Sequence, residues 1–130
     1  MGAWIAVALG GAIGSVGRFW LTGVMAALTG PRFPWGTLLI NVLGSFIIGL
    51  VGGITLTPAR VGLHPDLRIF LMTGVCGGFT TFSAFSLDTA LLIERHSYGM
   101  AAGYAVGSVA ASVSALFFGL AVFRGTGQLP

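Results

Sequence analysis

The sequence predicts an all-α integral membrane protein with four spanning helices. Three observations predict it. Only 7% of the 130 residues are charged and 55% are hydrophobic, with a mean hydropathy of +0.98. Soluble domains carry about 25% charged residues, and so few charges cannot cover a soluble surface. Four stretches reach the roughly 20 apolar residues that the hydrocarbon core of a bilayer demands. Proline, glycine and charge collect between them, as turns require. The chain therefore reads as a single membrane domain over 1–130. It lacks a basic N-terminal region, and its first apolar run continues past Arg18, so no cleavable signal peptide is expected.

The first span is predicted over 4–28, the second over 35–57, the third over 67–93 and the fourth over 98–123. Span one carries Gly10, Gly14 and Arg18 at i, i+4 and i+8, which places them on one helix face. The two glycines let another helix approach closely. A guanidinium inside a span costs at least ~2.5 kcal/mol unless it reaches water. Arg18 either snorkels to the nearer surface or lines an aqueous vestibule that attracts anions. Trp20 and Trp35 flank the turn Gly30-Pro31-Arg32-Phe33-Pro34, where interfacial anchors belong.

Span two carries a polar stripe, Thr37, Asn41 and Ser45, followed by Gly49. Asn41 is the costly member. It serves either an interhelical hydrogen bond or a pore lining of amide donors. Span four repeats the pattern with Tyr104, Ser108 and Ser112, beside a small-residue row of Gly99, Gly103, Gly107, Ala111 and Ala115 that reads as a packing seam.

Span three breaks the rules of a membrane helix. Gly74, Gly77 and Gly78 fall within five residues, Thr80 and Thr81 follow, and Phe79, Phe82 and Phe85 recur at every third position. Glycine weakens a helix by roughly 1 kcal/mol relative to alanine. In a bilayer, interrupted helix is tolerated only where protein or a water-filled cavity satisfies the freed groups. The sequence thus predicts a helix broken at its centre over Gly77–Thr81, where transporters and channels place ions. Freed carbonyls suit a monovalent cation, and ring edges and hydroxyls suit an anion. Asp88, at the end of the run, reads as interfacial and structural. Cys76, the lone cysteine, reads as a small packing residue.

Charge leaves the orientation undecided. Both termini share a side with Arg60, Arg68 and Arg124; the opposite side has Arg32 and Arg95, plus Arg18 if it snorkels. Orientation needs a clear Lys/Arg imbalance, so the chain is expected to insert both ways up. Two such copies can pair antiparallel as a dual-topology homodimer about a two-fold axis in the membrane plane. The net charge of +3 is too small and scattered for nucleic acid. Asp66, Asp88 and Glu94 lie near span ends, and His64 and His96 lie at loops. No nucleophilic triad, metal cluster or proton relay assembles, so the chain is not expected to be an enzyme. Passive conduction of a small anion fits the residues better than coupled pumping.

The run Gly77-Gly78-Phe79-Thr80-Thr81-Phe82-Ser83-Ala84-Phe85-Ser86 resembles the signature of the Fluc (CrcB) fluoride channels. Gly10-Gly11-Ala12-Ile13-Gly14 followed by Arg18, and Trp35-Gly36-Thr37 leading to Asn41, extend the resemblance over essentially the whole chain. It implies an antiparallel homodimer with two fluoride pores, exporting fluoride passively across the plasma (inner) membrane of a microbe. Phe82 and Phe85 would form an aromatic box, with Asn41 as a donor and Ser83, Tyr104, Ser108 and Ser112 in the pore. Arg18 would stand in the vestibule. The backbone carbonyls of Gly77 and Thr80, from both subunits, would hold a structural Na⁺ on the two-fold axis. Ala84 and Asp88 depart from the family's common Thr and Glu, which touches local packing only. A dual-topology multidrug exporter would need a membrane-embedded acid that span one lacks. A non-conducting assembly subunit would leave the polar tracks without a purpose.

Overall fold

The computed structural model describes residues 2–56 and 62–124, without the side chain of Arg124. The end of the second predicted span at Thr57, and Arg60, lie outside them. The described chain is helical and contains four helices long and apolar enough to cross a membrane. It is a multi-pass membrane protein. Helix α1 (Gly2–Thr29) ends at Gly30, whose φ of +73° is the left-handed turn that glycine adopts without strain. Helix α2 (Trp35–Thr55) starts after Pro34. The third span begins with α3 (Pro65–Ile69), capped by His64 Nδ1 accepting from the Asp66 amide at 3.3 Å. It continues as π-helix over Phe70–Cys76, then as α4 (Gly77–Phe79) and α5 (Phe82–Glu94). Helix α6 (Tyr98–Arg124) follows a turn in which His96 has a φ of +57°.

Two helix pairs make the bundle: α1 packs on the third span, and α2 packs on α6. Both rest on glycine. A Cβ on Gly10 would lie 2.5 Å from the Phe70 carbonyl oxygen and 2.9 Å from Gly74 Cα. Gly14 meets Val75 and the Phe79 amide as closely. In a bilayer, where tails are as apolar as leucine, this backbone contact supplies van der Waals attraction that bulkier side chains would forfeit. The π-helical turns lie along this contact. The row Gly99, Gly103, Gly107 behaves differently from a seam within the chain: a Cβ at each would meet nothing within 4 Å. The α2–α6 crossing uses Gly49 and Gly119 instead.

The third span also corrects the part assigned to its glycine pair. Gly77 and Gly78 are helical, and the extended residues are Thr80 (φ −78°, ψ 154°) and Thr81 (φ −154°, ψ 115°). Gly78 is needed for proximity, since its Cβ would lie 2.5 Å from the Gly11 carbonyl oxygen and 3.0 Å from Gly11 Cα. Gly77 is exposed, with only the Met72 carbonyl oxygen at 3.9 Å. Gly78→Ala is therefore expected to destabilise the protein by about 1–3 kcal/mol, the cost of overpacking. Gly77→Ala is expected to leave the fold of the chain intact. Thermal unfolding of both variants in one detergent checks the difference.

Candidate functional site

The interruption after Phe79 is built by three side chains and a glycine. Asn41 of α2 reaches across to Thr81: its Oδ1 accepts from the Thr81 amide at 2.8 Å, and its Nδ2 donates to the Thr81 carbonyl at 3.2 Å. Thr80 Oγ1 donates back to the Cys76 carbonyl at 2.8 Å, and the Thr80 amide donates to the same oxygen at 2.9 Å. Thr81 Oγ1 caps α5 by accepting from the Ala84 amide at 3.1 Å. Gly44, one turn beyond Asn41, leaves room for the Thr80 methyl, which a Cβ there would strike. A buried backbone break would otherwise strand polar groups at several kcal/mol each. The Thr81 amide goes to Asn41, so it is withdrawn from the Gly77 carbonyl that a continuous helix would offer it.

Beside the interruption lies a cleft of about 320 Å³ lined by Asn41, Ser45, Ile48, Thr80, Thr81, Phe82, Phe85, Ser108, Val109, Ser112 and Val113. Its polar groups are amide and hydroxyl groups, without a carboxylate. Phe82 and Phe85 stand 5.4 Å apart between ring centroids. Phe85 is half-buried, but Phe82 is 77% exposed, offering most of its ring beyond the chain. Ser108 is 4% exposed, and its Oγ finds no hydrogen-bond partner among the described residues. A buried hydroxyl left unpaired costs about 1–3 kcal/mol, so it marks a place where something else supplies the partner.

Tyr104 is fully buried rather than on the cleft wall. Its ring packs on Phe85 at 5.3 Å and edge-on to Phe33 at 5.5 Å, and its hydroxyl donates to Asp88 Oδ2 at 3.2 Å. Asp88 faces a second cavity, of about 160 Å³, which opens at the α1–α2 and α5–α6 turns. Thr22, Thr37, Trp35, Arg32 and Arg95 line it too. Tyr104 thus stands between cleft and cavity. Thr37 faces the cavity and Asn41 the cleft, one turn apart on α2.

Two further placements differ from the sequence-based picture. Arg18 is half-buried and lines neither space; Thr22, one turn on, lines the cavity, whose guanidiniums are those of Arg32 and Arg95. Arg95 Nη1 also donates to the Pro31 carbonyl at 3.3 Å, tying the two turns together. Ser83 is exposed and off the cleft wall, with its Oγ 3.1 Å from Thr81 Oγ1. Asp88, read as interfacial and structural, lines the cavity at the turns and is tied to α6 through the Tyr104 hydroxyl. Its position three residues after Phe85, on the same helix face, carried that signal.

Residues 5–120 match the family model described as CrcB-like protein, Camphor Resistance (CrcB). The chain belongs to the CrcB family. Similar CrcB-related proteins include three named "Fluoride-specific ion channel FluC". The one from Novosphingobium aromaticivorans is 53% identical over 121 residues, spanning 92% of this chain and 94% of its own. That from Agrobacterium fabrum is 52% identical over 119 residues, spanning 91% and 93%. That from Nitrobacter winogradskyi is 53% identical over 121 residues, spanning 92% and 94%. The family resemblance drawn from the residues is thus correct. The CrcB relatives are named as ion channels, in agreement with a chain that is not an enzyme.

Proposed function

We propose that the chain is a passive, highly selective fluoride channel in the plasma membrane of a microbe, exporting fluoride to relieve its toxicity. The observation that carries this reading is the cleft. Amide and hydroxyl donors meet two aromatic rings there, and the buried Ser108 hydroxyl lacks a partner. Fluoride is small and strongly hydrated, so it needs closely spaced donors to replace lost water. The ring edges of Phe82 and Phe85 carry positive quadrupole and can face it directly. One N–H of the Asn41 carboxamide goes to Thr81, which leaves the second for the anion. Ser112 and then Ser108 line the path, which leads past Tyr104, whose hydroxyl donates to Asp88, toward the cavity at the turns. Ser83, exposed and off the cleft wall, would meet the ion only in the pore completed by a second copy. The names of the relatives support the choice of fluoride among small anions.

The functional unit in this reading is an antiparallel, dual-topology homodimer with two pores, its third-span interruptions at the bilayer centre. The exposed Phe82 ring, the bare Gly77 and the open Gly99–Gly103–Gly107 row supply the surfaces for it. A structural Na⁺ on the two-fold axis fits the residues present. The Gly77 carbonyl loses the Thr81 amide to Asn41, and Gly77 itself is exposed. The carbonyls of Gly77 and Thr80 from both copies would hold the ion, which would fix the two interruptions against each other.

Arg32 and Arg95 would gather anions at the cavity, and Arg18 would add its charge to that vestibule from outside the lining. The two guanidiniums outnumber the Asp88 carboxylate on the same cavity, and an excess of one sign of charge in a cleft raises the local counter-ion concentration. Arg32→Glu with Arg95→Glu is expected to lower fluoride flux about threefold at low salt, and the deficit should shrink in about 1 M salt, where screening acts within ~3 Å. Flux against ionic strength checks it. The function itself is tested by expressing the chain in a bacterium stripped of fluoride export. Growth restored in millimolar fluoride supports the reading; sensitivity unchanged despite membrane expression contradicts it.

A further inference from the structure

We propose that Asn41 is a positioning residue, holding the Thr80–Thr81 interruption open so that the rings beyond it face the cleft. The inference deepens the channel reading and rests on it for function, but its physical core is a main-chain contact. Asn41 is the group across the bundle that satisfies both main-chain atoms of Thr81, at 2.8 and 3.2 Å. The residues on either side, Gly77–Phe79 and Phe82–Glu94, are already helical. A Thr81 amide without Asn41 has an obvious alternative acceptor, the Gly77 carbonyl four residues back. Taking it would start to rejoin α4 to α5.

The consequence is directional. In a continuous helix Phe82 would sit about 300° around the axis from Phe79, three residues on. The extended pair removes that constraint and lets α5 present Phe82 and Phe85 to the cleft. Gly44 completes the template, since the Thr80 methyl occupies the space a side chain there would fill. The face of α2 bearing Asn41 and Gly44 thus shapes the third span. This unites the two roles open to Asn41: its hydrogen bond to another span is what builds the pore.

Residue-resolved amide exchange of the full-length protein in micelles, paired with fluoride and chloride flux, tests it. Asn41→Leu keeps bulk and removes both hydrogen bonds. Thr81 amide exchange should shift at least about tenfold, faster where the freed amide meets water and slower where it takes the Gly77 carbonyl, while Ala101, bonded to the Ser97 carbonyl at 2.9 Å, stays unchanged. Fluoride flux and its ratio over chloride should both fall. If Asn41→Leu does not fold, Asn41→Ser gives the same reading, because its hydroxyl is too short to reach both groups. Asn41→Asp retains an acceptor and should hold Thr81 exchange within about twofold of the parent. Unchanged Thr81 exchange in the Leu or Ser variant overturns the proposal, as does a shift in Asn41→Asp as large as in those. A parent protein that carries no fluoride would remove the channel reading, and the exchange result would still decide the contact.

Discussion

Gly119→Val is expected to lower recovery of folded protein sharply. The α2–α6 pair is held where Gly49 and Gly119 let the two backbones touch. A Cβ on Gly119 would fall on the Phe46 carbonyl, 2.9 Å from the Leu50 amide nitrogen and 3.0 Å from the Gly49 carbonyl carbon. These are backbone atoms of a continuous helix and have no rotamer by which to yield. Separating the helices to admit an isopropyl group would also pull Ser108 and Ser112 away from Asn41 and Ser45 across the cleft. The cost should reach about 3 kcal/mol or more, the upper part of the range for overpacking, against a total stability of about 5–15 kcal/mol. Gly23→Ala is the control: nothing lies within 4 Å of its Cβ, and alanine favours helix by roughly 1 kcal/mol. Size-exclusion profiles and thermal unfolding should show the valine variant aggregated and the alanine variant as stable as the parent or more so.

Phe82→Ile and Phe85→Ile are each expected to cut fluoride flux about tenfold without dispersing the assembly. Isoleucine keeps apolar bulk and removes the ring edge. Contacts of aromatic rings are worth about 0.5–1.5 kcal/mol, and about 1.4 kcal/mol on a barrier is a factor of ten in rate. Phe85 also packs on Tyr104 at 5.3 Å, so its loss should cost some stability as well. Phe82, 77% exposed, has little within the chain to lose. A flux defect there with unchanged thermal unfolding assigns the ring to the ion. Normal flux in both variants would remove the aromatic pair from the path.

The fold was legible because the bilayer constrains sequence so strongly: apolar length, proline and charge set the helices and turns. The site was legible where chemistry repeats at helical spacing, as Asn41–Ser45 and Ser108–Ser112 do. The rest was hidden because several residue types carry two meanings. Glycine marks flexibility and also close approach; Gly78 serves approach, and the helix opens two residues later at Thr80. The Gly99 row had the spacing of a seam but faces outward. A polar stripe does not reveal a bend in its surroundings, so Tyr104 and Ser108 share a face yet differ in what they meet. Arg18 shares a face with Gly10 and Gly14, but the cavity's guanidiniums come from two turns distant in sequence. The π-helical stretch left no signal in periodicity, since a few wide turns do not disturb an apolar run.

The central claim is that the cleft beside Thr80 and Thr81 passes fluoride and excludes larger halides. Ion efflux from liposomes containing the purified protein tests it, with a potassium ionophore clamping the voltage and chloride as the comparison anion. Rapid fluoride release with little chloride release is the expected result. Equal release of both anions, or of neither from a folded assembly, would contradict it.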